Sequence, residues 1–131
     1  MRTRTKILIC LALAVLWFRG CQVRAVERCV LEKDYEVFNQ DYFLGQLPPA
    51  NVEWANLTDQ HDMGMTWVDQ AGARQIRVDK STNPVLKQAE MTLLHEMCHV
   101  KTDAKELDSH GLKWQACMVD LADHGAFHDL W

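Results

Sequence analysis

Beyond residue 30, the hydrophobic positions first recur every three or four residues, which is the period of an amphipathic helix. This pattern predicts a helix from Val30 to Leu44, because a glycine and two prolines follow and end helical geometry. The apolar positions that define the buried face are Leu31, Tyr35, Phe38, Tyr42 and Phe43.

Three short segments then alternate apolar and polar residues, which is the period of a half-buried strand. They cover residues 51–56, 64–68 and 75–79, and turn-forming residues separate them. An antiparallel meander is the simplest arrangement of three strands joined in this way. The tryptophans that we expect in the core of the domain are Trp54, Trp67 and Trp114.

A long helix is predicted from Pro84 to about Thr102, with Asn83 as its N-cap and the proline in its first turn. A last helix should run from Gly111 to Asp123. The order of elements predicts an α+β domain with an N-terminal helix, a three-stranded antiparallel sheet, a long helix and a C-terminal helix. The apolar face of the long helix comprises Val85, Leu86, Ala89, Leu93, Leu94 and Met97.

Residues 1–25 differ in composition from the rest of this 131-residue chain, whose length suits one domain. Three cations precede an apolar run that ends at Phe18, and Ala25 is a small residue suited to cleavage. The run is shorter than the roughly 20 residues that cross a bilayer. We predict a signal peptide at 1–25, a mature domain at 26–131, and export to the periplasm or the exterior. The alternatives are a tethering helix, or a cytoplasmic protein if the leader is not a signal peptide.

The charge of the chain limits its partners. The formal net charge is −4, and loss of the five cations in residues 1–25, which contain no acidic residue, would change it to −9. An acidic surface repels phosphate backbones, so nucleic acid is an unlikely partner. We expect a protein or peptide substrate, no stable membrane span once the leader is removed, and a monomer.

Three cysteines remain in the mature domain, and an odd number cannot form a complete disulfide framework. Cys98 and Cys117 are therefore expected to be buried small hydrophobic residues, while Cys29 lies close to the mature terminus.

The candidate chemistry lies in the long helix, where His95, Glu96 and His99 form an HExxH motif. Residues four apart project from one side of a helix, at a separation that suits two ligands of one zinc ion. Glu96 lies beside this pair, where its carboxylate can take a proton from water without binding the metal. Imidazole ligands with one open position favour zinc over calcium or magnesium.

A catalytic zinc site needs a third protein ligand. His110 is the first candidate, because it follows a bend that could fold the chain back over the motif helix. Acidic residues of the bend are alternatives, and Asp103 could instead contact a ligand from the same helix. The acidic alternatives are Asp103, Glu106 and Asp108, and the histidines expected in solvent are His61, His124 and His128.

The segments Leu94–His99 and His110–Trp114 resemble the two-part histidine signature of the SprT-like zincin family, which includes Spartan-type proteases. The resemblance covers roughly residues 35–124. It implies a zincin-like fold and a catalytic Glu96, and the zinc ligands that it implies are His95, His99 and His110. Gly111 would permit a close turn beside a ligand, and Trp114 would pack under it. The further matching segments are 42–47, 52–54, 64–66 and 75–78.

Motif and resemblance together predict a zinc metalloendopeptidase in which Glu96 is the general base toward a zinc-activated water. Extended substrate is expected to pair with the third strand, near Gln75 to Asp79, or with its neighbour. Tyr42 and His61 are candidate oxyanion stabilisers. Three alternatives remain: the same site acting on a non-peptide amide or ester, a non-catalytic zinc-stabilised binding module, and a DNA-associated SprT-like protease if the leader is not a signal peptide.

Overall fold

The computed structural model describes residues 30–102 and 109–129, and its elements follow the predicted order. The α+β class is confirmed, because the described residues form three helices and a three-stranded sheet. Within the described residues, no helix is both long and apolar enough to cross a membrane. The elements are α1 (residues 30–43), β1 (Ala50–Ala55), β2 (Gly64–Val68), β3 (Arg74–Asp79), α2 (Leu86–Thr102) and α3 (Leu112–Asp123).

The sheet is mixed, so the predicted antiparallel meander is wrong. Its strand order is β1-β3-β2, with β1 parallel and β2 antiparallel to β3. The chain between β1 and β2, which includes a 3-10 turn at Thr58–Gln60, passes from one edge of the sheet to the other. The hairpin turn after β2 then inserts β3 between them. Alternating hydrophobicity identifies a strand and its buried face, but it does not specify the neighbouring strands.

The sheet buries one face against the helices. Ile76 and Val78 of β3 are fully buried, and Val52 of β1 lies directly opposite Ile76. In β2 this face carries Gly64 and Thr66, which pair with Val78 and Ile76, and the exposed Val68 at the end of the strand. The inward-facing prediction for Trp67 is therefore wrong. Its ring lies on the other face of the sheet, with the Arg77 guanidinium carbon 4.9 Å from the ring centroid.

Helix α2 is the central element of the core, and its residues Leu93, Leu94 and Met97 are fully buried. It begins at Leu86, two residues later than predicted, so the apolar side chains of the first predicted turn are exposed. The expected N-cap, Asn83, is engaged elsewhere. Its amide nitrogen donates to the backbone oxygens of Met63 and Asp79, and its amide oxygen accepts a hydrogen bond from Thr92.

A disulfide joins Cys98 of α2 to Cys117 of α3, with the two Cα atoms 5.8 Å apart. The prediction that both cysteines are buried is confirmed, but they form a disulfide rather than packing as two separate hydrophobic residues. An odd number of cysteines excludes pairing of all three, but it does not prevent two from meeting where helices pack. Cys29, like the predicted signal peptide, lies outside the described residues.

Asp79 connects two loops at the end of β3. Its carboxylate is buried and accepts hydrogen bonds from the Ser81 hydroxyl, the Leu57 backbone N–H, and both the backbone N–H and hydroxyl of Thr82. These donors, led by Ser81, hold the pKa of Asp79 well below its usual range. The loop after β1 is thereby fixed to the loop before α2.

This arrangement predicts an acid-sensitive fold. Because the folded-state pKa of Asp79 is depressed, its contribution to stability is complete above its unfolded pKa of about 3.8 and is lost as the pH falls below that value. We expect Asp79→Asn to lower the urea midpoint at pH 7 and to weaken its dependence on pH between 5 and 2. Urea unfolding across this range measures both. Asp59→Asn, in the exposed 3-10 turn, is the control, and an unchanged pH dependence in Asp79→Asn would contradict the assignment.

Candidate metal centre

Two elements bring three imidazole rings together. Helix α2 places His95 and His99 one turn apart, with their Nε2 atoms separated by 3.2 Å. His110, in the turn before α3, places its Nε2 3.1 Å from that of His95. One possible ligand nitrogen from each ring lies within 4.8 Å of the others. The structure therefore assembles the three predicted residues into one group that could hold a metal ion.

The spacing of these nitrogens fits zinc. Two nitrogens bound to one tetrahedral zinc at about 2.0–2.1 Å are roughly 3.3 Å apart, close to both measured separations. A metal ligand must also be a neutral imidazole. Burial, followed by the charges of His99 and His110, lowers the pKa of His95 to about 4. Burial and His110 also lower the pKa of His99, so both rings favour the form that binds metal.

Trp114 of α3 supports all three rings. Its ring centroid lies 4.6 Å from that of His95, 5.6 Å from that of His99 and 4.5 Å from that of His110. Its indole N–H also points to the backbone oxygen of His95 at 3.4 Å. Gly111, which precedes α3, has φ of −64°, a value that any residue adopts. The rigid indole therefore limits where the His110 ring can lie.

Glu96 follows His95 on α2 and is buried, with 4% of its surface exposed. Its Oε2 accepts a hydrogen bond of 2.5 Å from the Thr66 hydroxyl on β2. Burial raises the pKa of Glu96 to about 7; the Thr66 hydrogen bond opposes this effect, and the charge of Asp62 adds to it. A carboxylate with a pKa near 7 is suited to accepting and returning protons at neutral pH.

Strand β2 approaches Glu96 so closely that Gly64 has no room for a side chain. A Cβ atom at this position would lie 2.7 Å from both Glu96 Oε1 and Thr92 Cγ2. The sequence predicted a strand at Gly64 and Thr66 and a family resemblance there, but not their contact with Glu96. Their spacing of two, on one face of a strand, is the signal that could have identified them as a pair.

The other predicted candidates do not join the histidine group in the described part of the chain. His61 is exposed in the loop between β1 and β2, and His124 is exposed after α3. Tyr42 packs on Phe38, with ring centroids 6.0 Å apart, and lines a hollow to which none of the three clustered histidines contributes. The acidic alternatives to His110, at Asp103, Glu106 and Asp108, lie outside the described residues.

Comparison with protein families gives one result that covers most of the chain. The model of the SprT-like family matches residues 31–128, which include every described helix and strand except the first residue of α1. No curated protein matches the chain.

Proposed function

The chain belongs to the SprT-like family, and on that premise we propose that it is a zinc-dependent metallopeptidase with Glu96 as its general base. One observation carries the proposal. Three imidazole nitrogens converge at zinc-compatible distances, and the helix that carries two of them also carries the buried carboxylate of Glu96, the residue that follows His95. Three protein ligands leave one position open, as in catalytic zinc sites, whereas structural sites have four protein ligands.

The proposed roles follow from chemistry and position. Zinc, when bound, supplies a Lewis acid that acidifies water and polarises a carbonyl group. His95, His99 and His110 hold it through neutral nitrogens. Glu96 accepts the proton of the attacking water and returns it to the leaving amide nitrogen, for which a pKa of about 7 is suitable. The same residues could act on a non-peptide amide or ester, and a substrate panel distinguishes the two.

The substrate is proposed to be an extended peptide alongside β2. The earlier expectation for β3 itself is wrong, because β3 is hydrogen-bonded on both sides. Its neighbour β2 pairs with β3 on one side, and no described strand pairs with its other edge. An edge strand offers backbone groups to an added strand, and β2 also carries the residue that contacts Glu96.

Two alternatives have less support. In a structural module the metal would hold α2 and α3 together, but the disulfide and the Trp114 contacts already do so. A DNA-associated protease would need a basic surface, whereas the chain has a net charge of −4. The disulfide also favours our proposal that residues 26–131 are exported, because disulfides persist mainly in oxidising compartments.

The direct test measures zinc content and hydrolysis of casein and a peptide library. We expect one zinc per chain, hydrolysis that stops on chelation, and recovery when zinc is restored. His110→Ala should lower zinc affinity by at least about 100-fold. Loss of a residue that only orients a metal ligand typically lowers metal affinity by roughly 10- to 100-fold, and loss of the ligand itself should lower it further. His128→Ala, at an 87% exposed side chain, is the control. Zinc bound equally well by His110→Ala, or hydrolysis that survives chelation, would contradict the proposal.

A further inference from the structure

We propose that Thr66 is a positioning residue for Glu96, so that strand β2 sets the orientation of the general base. This inference rests on the proposed function of Glu96. It concerns a contact between segments 30 residues apart in the sequence, which joins the edge strand to the metal-binding helix. If substrate lies along β2, the strand that receives the substrate also orients the group that acts on it.

The first step concerns the rigidity of the donor. The Thr66 hydroxyl lies 2.5 Å from Glu96 Oε2 and 3.5 Å from the Glu96 backbone oxygen. Thr66 is β-branched, so its side chain has few accessible rotamers on a strand. Its backbone pairs with Ile76, a fully buried residue of the central strand. The position of the Thr66 hydroxyl is therefore fixed, because the backbone belongs to the sheet and the side chain has little rotational freedom.

The second step concerns the freedom of the acceptor. The terminal torsion of a glutamate side chain has a broad energy minimum, so a carboxylate without partners rotates easily. In this structure both carboxylate oxygens of Glu96 lie against β2. Thr66 donates to Oε2, while the backbone of Gly64 passes so near Oε1 that a Cβ atom there would lie at 2.7 Å. With 4% of the residue exposed, solvent does not offer Glu96 many alternative partners. The Thr66 hydrogen bond therefore selects one orientation of the carboxylate plane.

The third step connects this orientation to rate. A general base must be within hydrogen-bond reach of the proton that it removes, and a misplacement of about 1 Å can lower the rate about 100-fold. Because Oε2 of Glu96 accepts the Thr66 hydrogen bond, Oε1 is the oxygen that would take the proton from water. Loss of the hydroxyl should therefore lower kcat with little effect on KM, because the substitution leaves unchanged the β2 backbone that is proposed to pair with the substrate.

The experiment compares Thr66→Val, which keeps the shape but removes the hydroxyl, with Thr66→Ser, which keeps the hydroxyl. We expect Thr66→Val to lower kcat by roughly 10- to 100-fold, with KM within about twofold and unchanged zinc content. Thr66→Ser should stay within about threefold of wild-type kcat. Rescue by serine separates loss of the hydrogen bond from loss of packing.

A second measurement does not depend on zinc or activity. This measurement is a double-mutant cycle in metal-free protein. It compares the unfolding equilibrium constants of wild type, Thr66→Val, Glu96→Leu and the variant with both substitutions. A hydrogen bond between the two side chains predicts coupling of roughly 3- to 10-fold in that constant. Additive effects would overturn the proposal.

The outcomes also separate this inference from the proposed function. Wild-type kcat in Thr66→Val, together with an inactive Glu96→Gln, would overturn the role of Thr66 and leave the peptidase proposal intact. Loss of activity in Thr66→Val that is fully explained by loss of zinc would also overturn the role of Thr66, because the substitution would then act on metal binding and not on the orientation of Glu96. A wild-type protein that binds zinc but hydrolyses nothing would overturn both.

Discussion

Glu96→Gln is expected to lower kcat by roughly 10²- to 10⁴-fold while the protein keeps its zinc, because that range is typical of removing a general acid-base group. Glutamine has nearly the same shape and can still accept the Thr66 hydrogen bond, but it cannot take a proton from water. The substitution should leave both the fold and the positions of the three histidines unchanged. Steady-state hydrolysis and zinc content, measured on the same preparation, test both parts of the expectation.

Glu90→Gln is the matched control for this variant. Glu90 lies on the same helix, so the substitution makes the same change in charge without reaching the histidine group. We expect its kcat to stay near that of wild type. Undiminished hydrolysis in Glu96→Gln would mean that another group takes the proton. Loss of zinc in Glu96→Gln would mean that the carboxylate supports the ligands rather than the reaction.

Removal of the Cys98–Cys117 disulfide is expected to destabilise the metal-free protein by about 3 kcal/mol, the chain-entropy value for a loop of this length. For a domain of about 100 residues this corresponds to a fall in Tm of more than about 10 °C. The closed loop contains both His99 and His110, so its opening should also weaken zinc binding. Thermal unfolding with and without reductant gives the stability change, and a zinc titration gives the affinity.

Two controls define this prediction. The double variant Cys98→Ala with Cys117→Ala should unfold at the same temperature with and without reductant. Zinc-loaded wild type should lose less stability on reduction than metal-free protein if bound zinc also joins α2 to the turn before α3. A metal-free protein whose Tm is insensitive to reductant would show that the two sulfurs do not restrain the fold.

The histidines on α2 could be predicted from the sequence because helix geometry is local. Residues four apart lie on one side of any helix, so the pairing of His95 with His99 required no knowledge of the rest of the chain. His110 is the first candidate for the third ligand, but the bend alone leaves Asp103, Glu106 and Asp108 open as alternatives. Its place depends on the turn before α3 and on Trp114, which are tertiary features.

Contacts between distant segments could not be predicted in the same way. Alternation assigns the apolar side of a strand to the core, which placed Trp67 inward. In β2 the core-facing positions are instead Gly64 and Thr66, because a buried carboxylate requires space and a donor there. Local patterns fail where a functional site replaces apolar packing. Strand order and the disulfide likewise depend on how elements pack, which hydrophobic spacing does not encode.

The insertion of β3 between two strands that precede it has a consequence for folding kinetics. The β2–β3 hairpin closes through the short turn between Val68 and Arg74, whereas the parallel β1–β3 pairing joins residues about 24 apart, such as Ala50 and Arg74. Short loops close faster, so the hairpin should form early and β1 should dock later. We therefore expect the strand that carries Thr66 to belong to the folding nucleus. Destabilising changes in β1 would mainly accelerate unfolding, whereas those in β2 would slow folding itself.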